Sequence, residues 1–99
     1  MQAGWSVYLV RCRDGTLYTG IAKDVARRLE EHRQSQGKGA KYLRGRGPLQ
    51  LVFEKSIGSH GLALRVERKI KRLEKHRKEK FILEAAAFDA LLVDLDPDA

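Results

Sequence analysis

Cysteine is nearly absent from this 99-residue chain, and the lone Cys12 excludes an internal disulfide framework. No second cysteine completes a CxxC pair for zinc or redox chemistry. Asparagine is missing altogether, and proline occurs only twice. No uncharged apolar run approaches the length of a membrane span, and the first ten residues carry no Lys or Arg, so no basic leader precedes an apolar stretch. The expectation is a soluble, cytoplasmic protein with no membrane partner. The three histidines, His32, His60 and His76, show neither HExxH nor paired metal-ligand spacing, which leaves a zinc hydrolase without support. Gly15 to Gly20 has the GxxxxG spacing of a phosphate loop. Ile21-Ala22 stand where that loop needs Lys and Ser or Thr, so P-loop hydrolysis is excluded.

What is abundant is positive charge. The formal net charge is +7, unevenly spread: residues 1–50 and 51–80 each carry +6, whereas residues 81–99 carry −5 and no basic group. A basic body with an acidic tail favours a polyanion such as nucleic acid. A heavily solvated surface would have the same composition, and charge alone does not separate the two. At 42% hydrophobic and 33% charged residues the chain reads as globular, with length for one domain over 1–99. Within it, residues 5–75 carry the motifs, 76–95 read as helical and 96–99 as an acidic tail.

Two strand-prone runs, Trp5 to Val10 and Leu17 to Ile21, flank Arg13-Asp14-Gly15-Thr16, a hairpin signal. Register decides which side chains share a face. A two-residue Asp14-Gly15 loop pairs 13 with 16 and separates Tyr8 from Tyr18. A three-residue loop with Gly15 left-handed as a bulge pairs 12 with 16, setting Tyr18 opposite Val10 and Tyr8 opposite Gly20. The bulged turn is expected. A helix then begins after Asp24 as N-cap, with Val25, Leu29 and His32 on one side. Residues 34–48, with four glycines and four basic residues, read as a loop. A third strand is expected from Leu49 to about Lys55, ended by Gly58-Ser59-His60-Gly61. A helix with the stripe Leu62, Val66, Ile70 and Leu73 follows, then further helix to Leu95 with breaks near 74–77 and 86. The order β-β-α-β-α-α predicts an α/β fold: a small three-stranded, mainly antiparallel sheet flanked by helices.

Ser6-Val7-Tyr8 and, ten residues on, Tyr18-Thr19-Gly20 stand as two tripeptides, followed by Arg28, His32 and, on the helix after the third strand, Glu67. In this order the residues resemble the GIY-YIG nuclease family. Gly39-Ala40-Lys41-Tyr42-Leu43-Arg44 and Ala63-Leu64-Arg65-Val66-Glu67 look like its small stand-alone bacterial branch. Ser6 and Thr19 depart from the family tripeptides, and a late Asn used by some members is missing.

The resemblance implies a DNA endonuclease whose catalytic residues are Tyr8, Tyr18, Arg28, His32 and Glu67, with Gly20 structural and Glu67 holding a single Mg²⁺ or Mn²⁺. One carboxylate is chemically sufficient, because magnesium keeps most of its waters. Tyr8 would take a proton from the attacking water, Arg28 would stabilise phosphate charge, and Tyr18 and His32 would orient groups or handle protons. A free tyrosine, with pKa about 10, is a poor base, so a neighbour such as Arg28, Arg11 or Lys41 is expected to lower it. Lys38, Lys41, Tyr42, Arg44 and Arg46 read as a phosphate-binding surface with one stacking aromatic, or else as a solubilising loop. Single-stranded or branched DNA is the expected substrate, in repair, recombination or processing, with RNA left open. The alternative is a non-catalytic nucleic-acid-binding module on the same scaffold.

Overall fold

A continuous apolar run, Val7 to Val10, builds the centre of the sheet. In the computed structural model, which describes residues 4–34 and 47–94, β1 (Trp5–Arg11) and β2 (Leu17–Ala22) form an antiparallel hairpin. Tyr8 lies opposite Gly20 and Val10 opposite Tyr18, the register expected of the bulged turn. Gly15 has φ +87°, and the Cys12 amide donates to the Thr16 carbonyl at 2.9 Å, closing the three-residue loop. Asp14 Oδ1 accepts from the Thr16 amide at 3.1 Å and its hydroxyl at 2.7 Å, which holds the turn in shape.

β3 (Gln50–Gly58) pairs antiparallel on the other side of β1, giving the order β2-β1-β3. It runs past the expected end at Lys55, because pairing with Trp5 and Ser6 continues the ladder through two register shifts. Edge position explains why the polar stretch Glu54-Lys55-Ser56 still forms strand: backbone pairing on one side suffices while the side chains meet solvent.

β1, buried on both faces, divides two cores. Tyr8, Val10 and Cys12 pack with Val25 and Leu29 of α1 (Val25–Gln34). Val7 and Leu9 pack with Val66 and Ile70 of α2 (His60–Lys71), Phe81 of α3 (Lys75–Leu83), and Phe88 and Leu91 of α4 (Ala85–Asp94). Asp24 caps α1, its carboxylate accepting from the Arg27 amide at 3.1 Å. Ser59 caps α2 through Leu62 N–H at 3.2 Å.

Three helices rather than two follow β3. The breaks fall at residues 72–74 and at Glu84, whose backbone is extended (φ −135°, ψ 107°). The extended residue lets Phe88 turn back onto Phe81, their rings meeting edge-on at 5.6 Å, so aromatic packing sets a boundary that local propensity did not. The sequence beyond residue 94 lies outside the described residues, as does the expected acidic tail. Among the described residues no helix is long and apolar enough to cross a membrane.

Two stability predictions follow from the packing. Thr19 is 2% exposed on the face covered by α2, and its hydroxyl finds no hydrogen-bond partner among the described residues. Thr19→Val keeps the shape and removes the orphaned group, so it should stabilise by about 1 kcal/mol in urea unfolding. Arg11 makes a two-pronged ion pair with Glu79 of α3, both contacts at 2.7 Å. The Arg11 hydrogen bonds hold the Glu79 carboxyl below its usual pKa, so the pair's contribution is complete above the ordinary glutamate pKa and disappears as pH falls through the depressed one. Glu79→Gln should therefore be less stable than wild type at neutral pH by about 1 kcal/mol in urea unfolding, with the gap closing in acid.

Candidate functional site

The site begins at Tyr8, in the middle of the central strand and 1% exposed. Its ring fits because the residue opposite is glycine. A Cβ at Gly20 would overlap the Tyr8 hydroxyl and Cζ and stand 3.0 Å from Cε2. Gly20 thus clears the space in which the phenol lies across β2.

The phenol meets His32, from the last turn of α1, at 3.0 Å between Oη and Nε2. His32 is itself 1% exposed. Tyr18, two residues along β2 from Gly20 and therefore on the same face, meets the imidazole edge-on at 5.8 Å between centroids. The helical spacing of four residues brings Arg28 to the same place as His32. Arg28 is near enough for its charge to act on the Tyr8 hydroxyl, and it donates to Glu31 Oε1 at 2.9 Å. Glu67 of α2 is close enough for its charge to act on the Tyr8 hydroxyl; its side chain is 15% exposed, and Lys71 lies 3.4 Å away. Of the residues singled out in the sequence, Tyr18, Arg28 and His32 thus surround the Tyr8 phenol, while Glu67, on the helix that packs against the opposite face of β1, reaches it only through the field of its charge.

The electrostatics correct one expectation. Burial pushes the Tyr8 pKa well above its ordinary value, Tyr18 adds to the rise, and Arg28 opposes both without overcoming them. Arg11 does not assist, because Glu79 engages it on the opposite side of β1. Lys41 lies outside the described residues, as do Lys38, Tyr42, Arg44 and Arg46. Burial also lowers the His32 pKa, as does the Arg28 charge, with Glu31 opposing. A neutral phenol therefore faces a neutral imidazole, and in the tautomer that leaves Nε2 unprotonated the Tyr8 hydroxyl donates to it.

Glu31 was not singled out in the sequence. It bonds Arg28 at i+3 and lies 3.6 Å from Arg27 at i+4, holding the Arg28 guanidinium toward the sheet. Helical pair spacing was the signal that could have found it.

The donor set suits a hard, water-rich cation. Among the described residues no three His, Cys, Asp or Glu side chains cluster as a ligand cage. Glu67 is a single, mostly shielded carboxylate, which matches the one or two that magnesium uses beside water and phosphate oxygens. A zinc or calcium site would need several more protein ligands.

The close fit of Tyr8 over Gly20 makes a quantitative test. Gly20→Ala should cost about 2 kcal/mol of stability by displacing the phenol. In a Tyr8→Ala background most of that cost should vanish, and a double-mutant cycle from urea unfolding measures the coupling.

The chain is similar to known proteins in sequence and in fold. A model of the GIY-YIG catalytic domain matches residues 4–80. A UPF0213 protein of Citrobacter koseri is 52% identical over 91 residues, covering 92% of this chain and 89% of that one. The UPF0213 protein YhbQ of Salmonella typhimurium has the same identity and coverage. The solution NMR structure of a UPF0213 protein from Bacillus halodurans superposes with a TM-score of 0.50 at 44% identity, over 79% of this chain and 81% of that chain. With the family model spanning both tripeptides, the α1 residues and Glu67, the chain belongs to the GIY-YIG family of nuclease domains.

Proposed function

We propose that this protein is a metal-dependent endonuclease that hydrolyses DNA phosphodiester bonds, acting on single-stranded or branched DNA in repair, recombination or DNA processing. The observation that carries the reading is the buried Tyr8–His32 hydrogen bond of 3.0 Å with Arg28 beside it. A packing tyrosine needs neither a neutral imidazole as acceptor nor a guanidinium at its hydroxyl.

The raised pKa rules out a standing phenolate near neutral pH. Tyr8 instead works as a relay: its oxygen accepts the proton of the attacking water while its own proton passes to His32 Nε2. Burial keeps His32 unprotonated and ready to receive it. Tyr18, packed against the imidazole edge, fixes the ring so that Nε2 stays aimed at the phenol. Arg28, braced by Glu31, balances the charge that develops on the phosphate oxygens. Glu67 would hold the Mg²⁺ or Mn²⁺, which when bound supplies positive charge to the phosphate and to the departing oxygen. Buried Cys12, the chain's one thiol, is consistent with a reducing, cytoplasmic setting.

The deciding experiment incubates labelled single-stranded, duplex and branched DNA and RNA with the protein and magnesium. Cleavage of single-stranded or branched DNA is expected, abolished by chelator. Tyr8→Phe and Glu67→Ala should each lower the rate by about 10²- to 10⁴-fold, and Arg28→Ala by about 10²- to 10³-fold. Binding without cleavage of any substrate would replace the enzyme by a nucleic-acid-binding module. The acid limb of the pH–rate profile should have its midpoint below the ordinary histidine pKa of about 6.5, because His32 must be unprotonated to accept. Tyr8 should add no alkaline limb below about pH 10, since its own pKa is raised.

A further inference from the structure

A groove of about 440 Å³ opens beside the site, lined by Trp5, Ile21, Lys23, Arg27, Arg28 and Glu31. Tyr8, Tyr18, His32 and Glu67 do not line it, so it is a neighbouring compartment that shares the Arg28 guanidinium with the site. Its chemistry is an indole among three cations. Two carboxylates also border it, and both have partners: Asp24 caps α1 through the Arg27 amide, and Glu31 braces Arg28.

Trp5 is the unusual element. It is the chain's sole tryptophan, yet it belongs to neither hydrophobic core cluster of the described residues. It is half-buried at the start of β1 and held by His60 of α2, their ring centroids 4.4 Å apart at a tilt of 48°. The Lys23 ammonium lies 5.8 Å from the indole centroid. A large, positioned aromatic that is excluded from the core and overlain by a solvated cation has the form of a stacking platform.

We propose that this groove is a nucleotide subsite in which Trp5 stacks against the unpaired DNA base next to the phosphate held by Arg28, while Lys23 and Arg27 bind the adjoining backbone phosphate. The inference rests on the nuclease reading for the phosphate at Arg28. An exposed cation–π contact is weaker than a base–aromatic stack, so an arriving base displaces Lys23 from the indole. The freed ammonium then meets the phosphate that arrives with the base. Arg27, 78% exposed and loosely paired with Glu31 at 3.6 Å, is free to do the same. A base inside a duplex is already stacked and paired, so its face is not available to Trp5. The groove thereby selects an unpaired nucleotide flanking the cleaved bond, as single strands and branch points provide.

Because Trp5 is the only tryptophan, its emission reports on this groove directly. The wild-type protein in EDTA, where nothing is cut, is titrated with fluorescein-labelled single-stranded DNA of about eight nucleotides, following tryptophan emission and fluorescein anisotropy together. Saturable quenching is expected, weaker with an oligonucleotide of the same length whose bases have been removed. Trp5→Ala, checked for folding by circular dichroism, should lose about tenfold in affinity for the intact strand and nothing for the abasic one, and Trp5→Phe should recover most of the loss. Lys23→Ala and Arg27→Ala should each weaken both strands alike and reduce the salt slope by about one ion. Binding by anisotropy with unchanged emission, equal affinity for a folded Trp5→Ala, or no binding at all would overturn the subsite. In each of those cases, metal-dependent cleavage that requires Glu67 would leave the nuclease reading intact. Base-dependent quenching without cleavage of any substrate would do the reverse.

Discussion

The hydrogen bond between the Tyr8 hydroxyl and His32 Nε2 depends on three separate structural conditions, and the rest of the site is arranged around it. The strand must present Tyr8 on the α1 face, the facing residue must be glycine, and α1 must be capped so that its last turn delivers His32. Each condition has a local cause. The Gly15 bulge fixes the register, Gly20 has no side chain to collide with the phenol, and Asp24 starts the helix at the right residue. A one-residue slip in the hairpin would turn Tyr8 and Tyr18 to opposite faces and dissolve the arrangement.

Burial gives this hydrogen bond its chemical character. Desolvation disfavours the charged form of both partners, raising the phenol and lowering the imidazole, and the two shifts have the same consequence: both groups stay neutral. Arg28 pulls both pKa values down, opposing the rise at Tyr8 and reinforcing the fall at His32. A single guanidinium thus favours the deprotonated form of each partner, easing proton loss from the phenol while keeping the imidazole neutral at rest. The ion pair with Glu31 holds that cation in place and moderates its charge at His32.

Much of this was legible in the chain. Parity of the hairpin pairing chose the bulged turn over the two-residue one, and the i,i+4 spacing placed Arg28 with His32. The apolar stripe Leu62, Val66, Ile70 likewise located α2. Harder to read were features that depend on what lies opposite. β3 outran its apolar stretch because β1 supplied a ladder for it, and the helical break expected near residue 86 falls at Glu84, where Phe88 turns back to pack against Phe81. Glu31 looked like one more charge on a charged helix. Trp5 looked like an ordinary strand residue, since exclusion from the core is a property of the assembled sheet.

The sequence by itself determined the register, the Asp24 cap and the family order of Tyr8, Tyr18, Arg28, His32 and Glu67, because these depend on short-range backbone chemistry and on residue spacing. Only the tertiary structure decided the protonation of the central pair. Charge reading suggested that nearby cations would draw the Tyr8 pKa down, and enclosure between β2 and α1 prevailed, raising it instead. The reason is that desolvation is collective: it is set by every atom that removes water from a group, and those atoms come from segments far apart in the chain.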